Sequence, residues 1–366
     1  MSRREREERL DEVAREAAAL RQSGSGGTVA GRGVRASGGP LPAPGGTAEP
    51  VGYYGLPVLK APVWTWEVPL YFFVGGTAGA AAVLATAYDM FGQTPEVARR
   101  ARHVALAGGL LSPLLLTSDL GRPERFLNML RVFKWRSPMS MGSWILAVFG
   151  PSVTVSALAH ELATLRIPPA PATDTTIRES VGHGHAYSRV RVGRPGREAA
   201  EAMGAVAGVA AALSGALLAT YTGVLLAATA IPVWNQHRRL LPAHFGAAAI
   251  GSAASVLTLC GCDDEGLNAL ALAASAVECG VGAVLETSTG REHEPVRHGR
   301  SGHLLRLGGV LTGPVALGLR LLGARRAASW SFVAGALITR FGWIEAGGAS
   351  AADSAALFEM QQRSSD

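Results

Sequence analysis

The run Val68-Pro69-Leu70-Tyr71-Phe72-Phe73-Val74-Gly75-Gly76-Thr77-Ala78-Gly79-Ala80-Ala81-Ala82-Val83-Leu84-Ala85-Thr86-Ala87-Tyr88 carries no charge, and Glu67 and Asp89 close it at its two ends. In hydrocarbon every backbone N–H and C=O must be bonded within the protein, so an apolar stretch of about 20 residues has to be a helix. Further stretches of the same kind follow, each ended by arginines, prolines or acids. Together they predict eight spans, at 67–89, 98–118, 143–163, 203–231, 243–261, 266–286, 302–322 and 327–346. The sequence therefore predicts an all-α polytopic membrane protein, a bundle of eight transmembrane helices. The fourth span is long enough to tilt or to project from the bilayer.

Composition agrees with this. Charged residues are 17% of the chain, against about 25% in soluble domains. The net charge of +6 is carried by Arg with almost no Lys, and it falls in tails and loops. That is the basic flanking of a membrane protein. No basic stripe with interleaved aromatics appears, which excludes nucleic-acid binding. Small residues crowd the spans at Val74–Ala81 and Gly204–Gly215. Such faces let helices approach closely in lipid, although a GC-rich coding sequence would also raise Gly and Ala.

The chain divides into a surface helix at 1–22, a flexible Gly/Pro/Ser-rich linker at 23–60, the membrane domain at 61–346 and a tail at 347–366. The first segment mixes Arg and Glu at helical spacing behind a thin stripe of Leu10, Val13, Ala17 and Leu20, suited to a partner or to headgroups. No apolar run follows Arg3-Arg4, so no secretory or twin-arginine signal is expected. The Arg-rich start favours a cytoplasmic N-terminus and a multi-pass protein of the cytoplasmic membrane.

Cys260, Cys262 and Cys279 are too few for an iron–sulfur cluster, and Cys260 and Cys262 bracket a single glycine, poor geometry for one metal. Haem b needs two histidines facing each other at depth. His103, His160 and His244 fall near span ends, and the other histidines fall in or beside loops. No metal site, haem or cluster is expected in this chain.

Tracing the spans alternately through the bilayer brings the unusual residues to one side. Trp64, Trp66 and Glu67 precede span one; Ser118-Asp119-Leu120-Gly121-Arg122-Pro123 follows span two; Ser137-Pro138-Met139-Ser140 precedes span three; Tyr221-Thr222-Gly223 lies toward the end of span four. The acidic tip Asp263-Asp264-Glu265 lies on the opposite side. Trp64, Trp66, Trp144 and Trp234 fit an interfacial aromatic belt. Asp119 and Arg122 fit a helix end with an i,i+3 ion pair. Neither reading explains why aromatic, acidic and basic residues from three spans meet at one depth. A flat, partly apolar ligand with two carbonyl oxygens, approached from lipid, needs that setting. Aromatics and small residues make a slot, and donors and acids bond the oxygens and move protons. This is the chemistry of a quinone site, with menaquinone and ubiquinone equally compatible.

The same residues carry a family resemblance. Trp66-Glu67-Val68-Pro69-Leu70-Tyr71-Phe72-Phe73-Val74-Gly75-Gly76, Asp119-Leu120-Gly121-Arg122-Pro123, Ser137-Pro138-Met139-Ser140 and Tyr221-Thr222-Gly223-Val224-Leu225-Leu226 resemble the NrfD/polysulfide-reductase membrane subunits over roughly 50–346. The first motif is similar to members that accompany formate dehydrogenases. The resemblance implies an eight-helix, haem-free subunit without activity of its own. Such a subunit exchanges electrons between quinone and an iron–sulfur, ferredoxin-like partner, beside a molybdopterin-type catalytic subunit. It also implies a quinone pocket among the first four helices, with Tyr221 as a pocket residue. Tyr221 and Asp119 are then expected nearest the quinone oxygens. Glu67 and Arg122 orient them, and Trp66 and Tyr71 wall the pocket. A carboxylate or tyrosine passes protons to a reduced quinone once burial has moved its pKa toward neutrality.

Glu278 lies near the middle of span six, where an unpaired carboxylate costs several kcal/mol. Glu286 follows on the same face, and Arg340 lies inside span eight. The expectation is that Glu278 or Glu286 pairs with Arg340 and ties spans six and eight, as a structural pair or as a proton path to the quinone pocket. Two other functional classes stay open: a purely structural anchor of a redox complex, and a secondary transporter. Against the second, no inverted repeat is visible and the polar cluster lies at an interface.

Overall fold

The structure, a computed structural model, describes residues 59–91, 94–119, 126–164, 195–288, 290 and 293–353, with the side chains of 126, 127 and 195–197 excepted. The expected surface helix at 1–22, nearly all of the 23–60 linker, Arg122, most of the 164–202 loop and the end of the tail lie outside the described residues.

Regular structure among the described residues is helical throughout. The long helices are α1 (Glu67–Met90), α2 (Pro95–Asp119), α3 (Pro138–Thr164), α4 (Pro195–Ala227), α5 (Leu240–Leu259) and α6 (Glu265–Thr287). Next comes α7, which runs Gly299–Val310, loosens into a π segment at Leu311–Val315 around Pro314, and continues as Ala316–Leu321. The last is α8 (Arg325–Ala352). Proline at position 314 removes a backbone donor, which is where an α-helix admits such a bulge.

Six of these helices, α1, α3, α4, α5, α6 and α7, are long and apolar enough to cross a membrane. The expected spans at 98–118 and 327–346 coincide with α2 and α8, which are long but less apolar. Arg99, Arg100, Arg102 and His103 crowd the first turns of α2, and α8 contains Arg340 and Glu345. The chain is a multi-pass helical membrane protein.

The helices pack as two groups of four. In the first, α1 contacts α2 and α4, and α3 bridges α2 and α4. In the second, α5 contacts α6 and α8, and α7 bridges α6 and α8. The groups join where α1 meets α5 and α8, and where α4 meets α5. The most enclosed apolar span is α1, with 78% of its window buried. Its run Gly75–Ala82 lets neighbours come to backbone distance. At Gly79 an added Cβ would fall onto the Gly215 carbonyl of α4, and one on Gly215 would lie 2.6 Å from the Gly79 oxygen. A matching pair, Gly308 and Gly335, closes α7 on α8 in the second group.

Polar clasps hold the end of the bundle opposite the tryptophans. Arg102 pairs with Asp89 at 2.5 Å, and Arg99 grips Glu161 through two bonds of 2.7 and 2.8 Å. Arg325 reaches both Asp263 and Glu265. Tyr88 donates to Asp264, which also caps α6 through the Leu267 N–H. Burial pushes the Asp264 carboxyl up, but hydrogen bonds from Tyr88, the Leu267 backbone and Thr94 outweigh this and hold it below the ordinary value of 3.8.

Two outcomes follow from this packing. Gly79→Leu should cost at least about 1–3 kcal/mol through overpacking and lower the thermal midpoint. Gly318→Leu, at a site where a Cβ meets nothing within 4 Å, should leave the midpoint near wild type. A carboxyl held low in the fold stabilises it fully above the unfolded pKa and loses that contribution as pH falls through the folded value. Melting curves taken below pH 3.8 should therefore fall more steeply for wild type than for Asp264→Asn.

Candidate functional site

The end of the bundle bearing Trp64 gathers most of the motif residues. Glu67 opens α1 and Asp119 closes α2, and Thr65 bridges them. The Thr65 hydroxyl lies 2.6 Å from Asp119 Oδ1 and also contacts Glu67 Oε2, while the Thr65 N–H donates to Asp119 Oδ1 at 3.3 Å. One hydroxyl carries one proton, so it serves one carboxylate at a time. The arrangement thus sets two carboxylates beside a single shared donor at the exposed rim of the bundle.

The second part lies deeper. Ser137 caps α3, accepting from the Ser140 N–H at 3.4 Å, and Pro138 occupies the first turn, where its missing N–H costs nothing. Ser140 in turn ties the preceding loop through the Lys134 N–H at 3.1 Å. This fixes the Pro138 carbonyl, to which the Tyr221 hydroxyl of α4 donates. The Tyr221 ring lies on Gly142, where any Cβ would run into it. Tyr71 of α1 is buried within electrostatic reach of Tyr221. Two further polar atoms, Trp144 Nε1 and Thr222 Oγ1, are buried with no hydrogen-bond partner among the described residues. In native folds such groups are nearly always satisfied.

Glu67 and Asp119 therefore meet through Thr65, and Tyr71 and Tyr221 are both buried toward the same end. Trp66 is 60% exposed and walls no slot, and Arg122 lies outside the described residues. The aromatic-belt reading fails for Trp234. It is fully buried, stacks on Trp64 at 5.5 Å and 14°, and donates from Nε1 to the Trp343 carbonyl at 2.9 Å.

The expected tie between spans six and eight is also corrected. Glu278, 2% exposed, bonds His244 Nδ1 of α5 at 3.0 Å and accepts from Thr312 of α7 at 3.3 Å. Glu286 instead takes Arg306 of α7 through bonds of 2.6 and 3.1 Å. Arg340 sits 3.7 Å over the Phe245 ring and donates to the Phe245 carbonyl at 3.3 Å. No direct ion pair joins Arg340 to either carboxylate within 4 Å; cation–π attraction and a backbone acceptor hold it, with the Glu278 charge acting at longer range. The carboxylates join α6 to α5 and α7, and the arginine joins α8 to α5.

His244 falls in the second turn of α5, near the span end as the sequence predicts, but inside the protein rather than at its surface. The connection before it, Pro232–Gln236, is itself buried, with Pro232, Val233 and Trp234 inside and Val233 N–H bonded to Ser350. His237 follows it into the interior and contacts His293 at 3.1 Å. The α5 start is therefore enclosed by protein. The legible sign was Trp234 beside Pro232, an aromatic in a connection too apolar for solvent.

A family model described as "Polysulphide reductase, NrfD" matches residues 58–268, more than half of the chain. The match includes Glu67, Asp119 and Tyr221 and stops before Glu278. No curated protein matches the sequence.

The Glu278–His244 contact should register as a coupled pair. Glu278→Ala and His244→Ala should each destabilise by about 1–3 kcal/mol, because each leaves a buried polar partner unpaired. The double variant should cost less than their sum. Denaturation of the single and double variants checks this, and additive losses would refute the contact.

Proposed function

The chain belongs to the NrfD polysulphide reductase family, membrane subunits of redox complexes, and on that premise we propose that it exchanges electrons between an iron–sulfur partner and membrane quinone. Members of the family associate with iron–sulfur and molybdopterin subunits. For this chain we propose an iron–sulfur, ferredoxin-like partner and a molybdopterin-type catalytic subunit, in the cytoplasmic membrane with the N-terminus on the cytoplasmic side.

The observation that carries the reading is the convergence of Tyr221, Tyr71 and the Thr65-bridged carboxylates at one end of the first four helices. Reduction of a quinone to its quinol takes two electrons and two protons. This chain holds no group of its own that stores electrons in the reading, so they come from the partner. Its contribution is to place proton donors and to exclude water. The Tyr221 hydroxyl, now spent on the Pro138 carbonyl, is a donor that a quinone oxygen can take over. Glu67 and Asp119, which share Thr65 at the exposed rim, are the carboxylates that would take protons from the aqueous side. The unpartnered Trp144 N–H and Thr222 hydroxyl offer further donors.

The second reading, a purely structural anchor, is favoured by the close packing of Tyr221, which is only 7% exposed. The test separates the two. The complex is purified through this chain and titrated with a quinol analogue, for wild type and Tyr221→Phe. Loss of one hydrogen bond of about 1 kcal/mol should weaken binding about fivefold, with a partner iron–sulfur signal retained. No analogue binding in an intact complex would leave the anchor.

A further inference from the structure

A cavity of about 440 Å³ lies beside the deep cluster, between α6 and α7. Its walls are apolar, built from Leu285, Val296, Leu305, Val310 and Pro314. Gly282 and Gly309 face it from opposite helices, and a Cβ on either would meet nothing within 4 Å. Below, the helices close again where Gly313, in the π segment, packs on Cys279, with a Cβ there 3.1 Å from the sulfur. From Cys279 to Glu286 the cavity runs about 10 Å along α6, at about 1.5 Å per residue.

Its two ends differ in charge. At the floor, Glu278 is already satisfied by His244 and Thr312. At the mouth, Glu286 is spent on Arg306 through two bonds. Arg297, also at the mouth, gives one N–H to the Ser288 carbonyl at 3.3 Å, and its buried Nε has no partner among the described residues. The mouth therefore holds two guanidiniums against one carboxylate, over an apolar shaft. Water does not fill such a shaft, since it needs two to four polar partners. A neutral amphiphile without an acceptor leaves the Arg297 Nε unpartnered.

We propose that this cavity is a binding site for an anionic phospholipid, with an acyl chain between Gly282 and Gly309 and the phosphate on Arg297. Basic residues at the mouth of a gap between transmembrane helices are the recognised setting for anionic headgroups. The site lies outside the four helices that carry Tyr221 and Asp119, and it does not depend on the quinone reading. A lipid held there would wedge α6 against α7 and support the Glu278 cluster beneath it.

Cys279 on the cavity floor supplies the readout, and Cys260, exposed at the far end of the bundle, is the internal control. The purified complex in detergent is alkylated with an apolar maleimide while phosphatidylglycerol or phosphatidylcholine is titrated in, and labelled peptides are quantified. Phosphatidylglycerol should protect Cys279 about fivefold better than phosphatidylcholine, the worth of about one basic contact, with Cys260 unaffected. Arg297→Gln should abolish that difference. Gly309→Leu should lose the lipid retained in native mass spectrometry, while Gly318→Leu keeps it. Equal protection by both lipids, protection by neither, or protection by a quinone analogue instead would overturn the proposal. If Gly309→Leu fails to assemble, the wild-type protection of Cys279 still decides it.

Discussion

The structure depends on how closely other helices can approach α1. In lipid there is little hydrophobic gain in bringing two apolar helices together, so packing contacts have to supply it. The Gly75–Ala82 run answers this by presenting almost no side chain. Helices α2, α4, α5 and α8 all reach α1, and the Gly79–Gly215 contact brings two backbones together with nothing between. A helix enclosed to that degree fixes its own ends. That is why Glu67 and Thr65 at its start, and Tyr88 and Asp89 at its finish, become the anchor points of the two polar layers.

Those layers are built differently. The end with Asp89, Glu161 and Arg325 is a set of ion pairs between neighbouring helices, largely exposed, and each is worth little alone. The end with Thr65 and Tyr221 has a rim of carboxylates and two buried tyrosines, with one indole and one hydroxyl donor unpartnered among the described residues. Buried donors without a partner among the described residues also occur elsewhere, at Ser252, Ser275, Arg320 and Trp343, so the two ends differ in charge pairing and burial. The second group of four helices adds a third polar element, the His244–Glu278–Thr312 contact, where three helices share one carboxylate.

Much of this was legible in the sequence, for identifiable reasons. Uncharged runs such as 68–88 have one solution in hydrocarbon, so the helices and their order follow directly, and the helix bounds differ from the expected spans mainly at their ends. The motif Ser137-Pro138-Met139-Ser140 announced a capped helix start, and Asp119 and Glu67 were placed on one side by alternation alone. What failed was depth. Counting residues inward assumes that every connection lies at the surface, and Pro232–Gln236 does not. That one buried connection puts Trp234 in the core instead of an aromatic belt and encloses His244 at the start of α5. It also gave Glu278 a partner in α5 instead of Arg340. Arg340 was misassigned because a guanidinium can also be held by an aromatic face and a carbonyl, which leave no trace in charge pairing. Thr65 escaped notice because a lone hydroxyl before a span carries no pattern.

The most direct test of the account is where a quinone touches this chain. A photoreactive quinone, cross-linked to the intact complex and competed with excess unlabelled quinone, should mark peptides containing Thr65–Tyr71, Pro138–Trp144 or Tyr221–Thr222. Competable labelling confined to α6 and α7, or labelling that excess quinone does not compete, would contradict it.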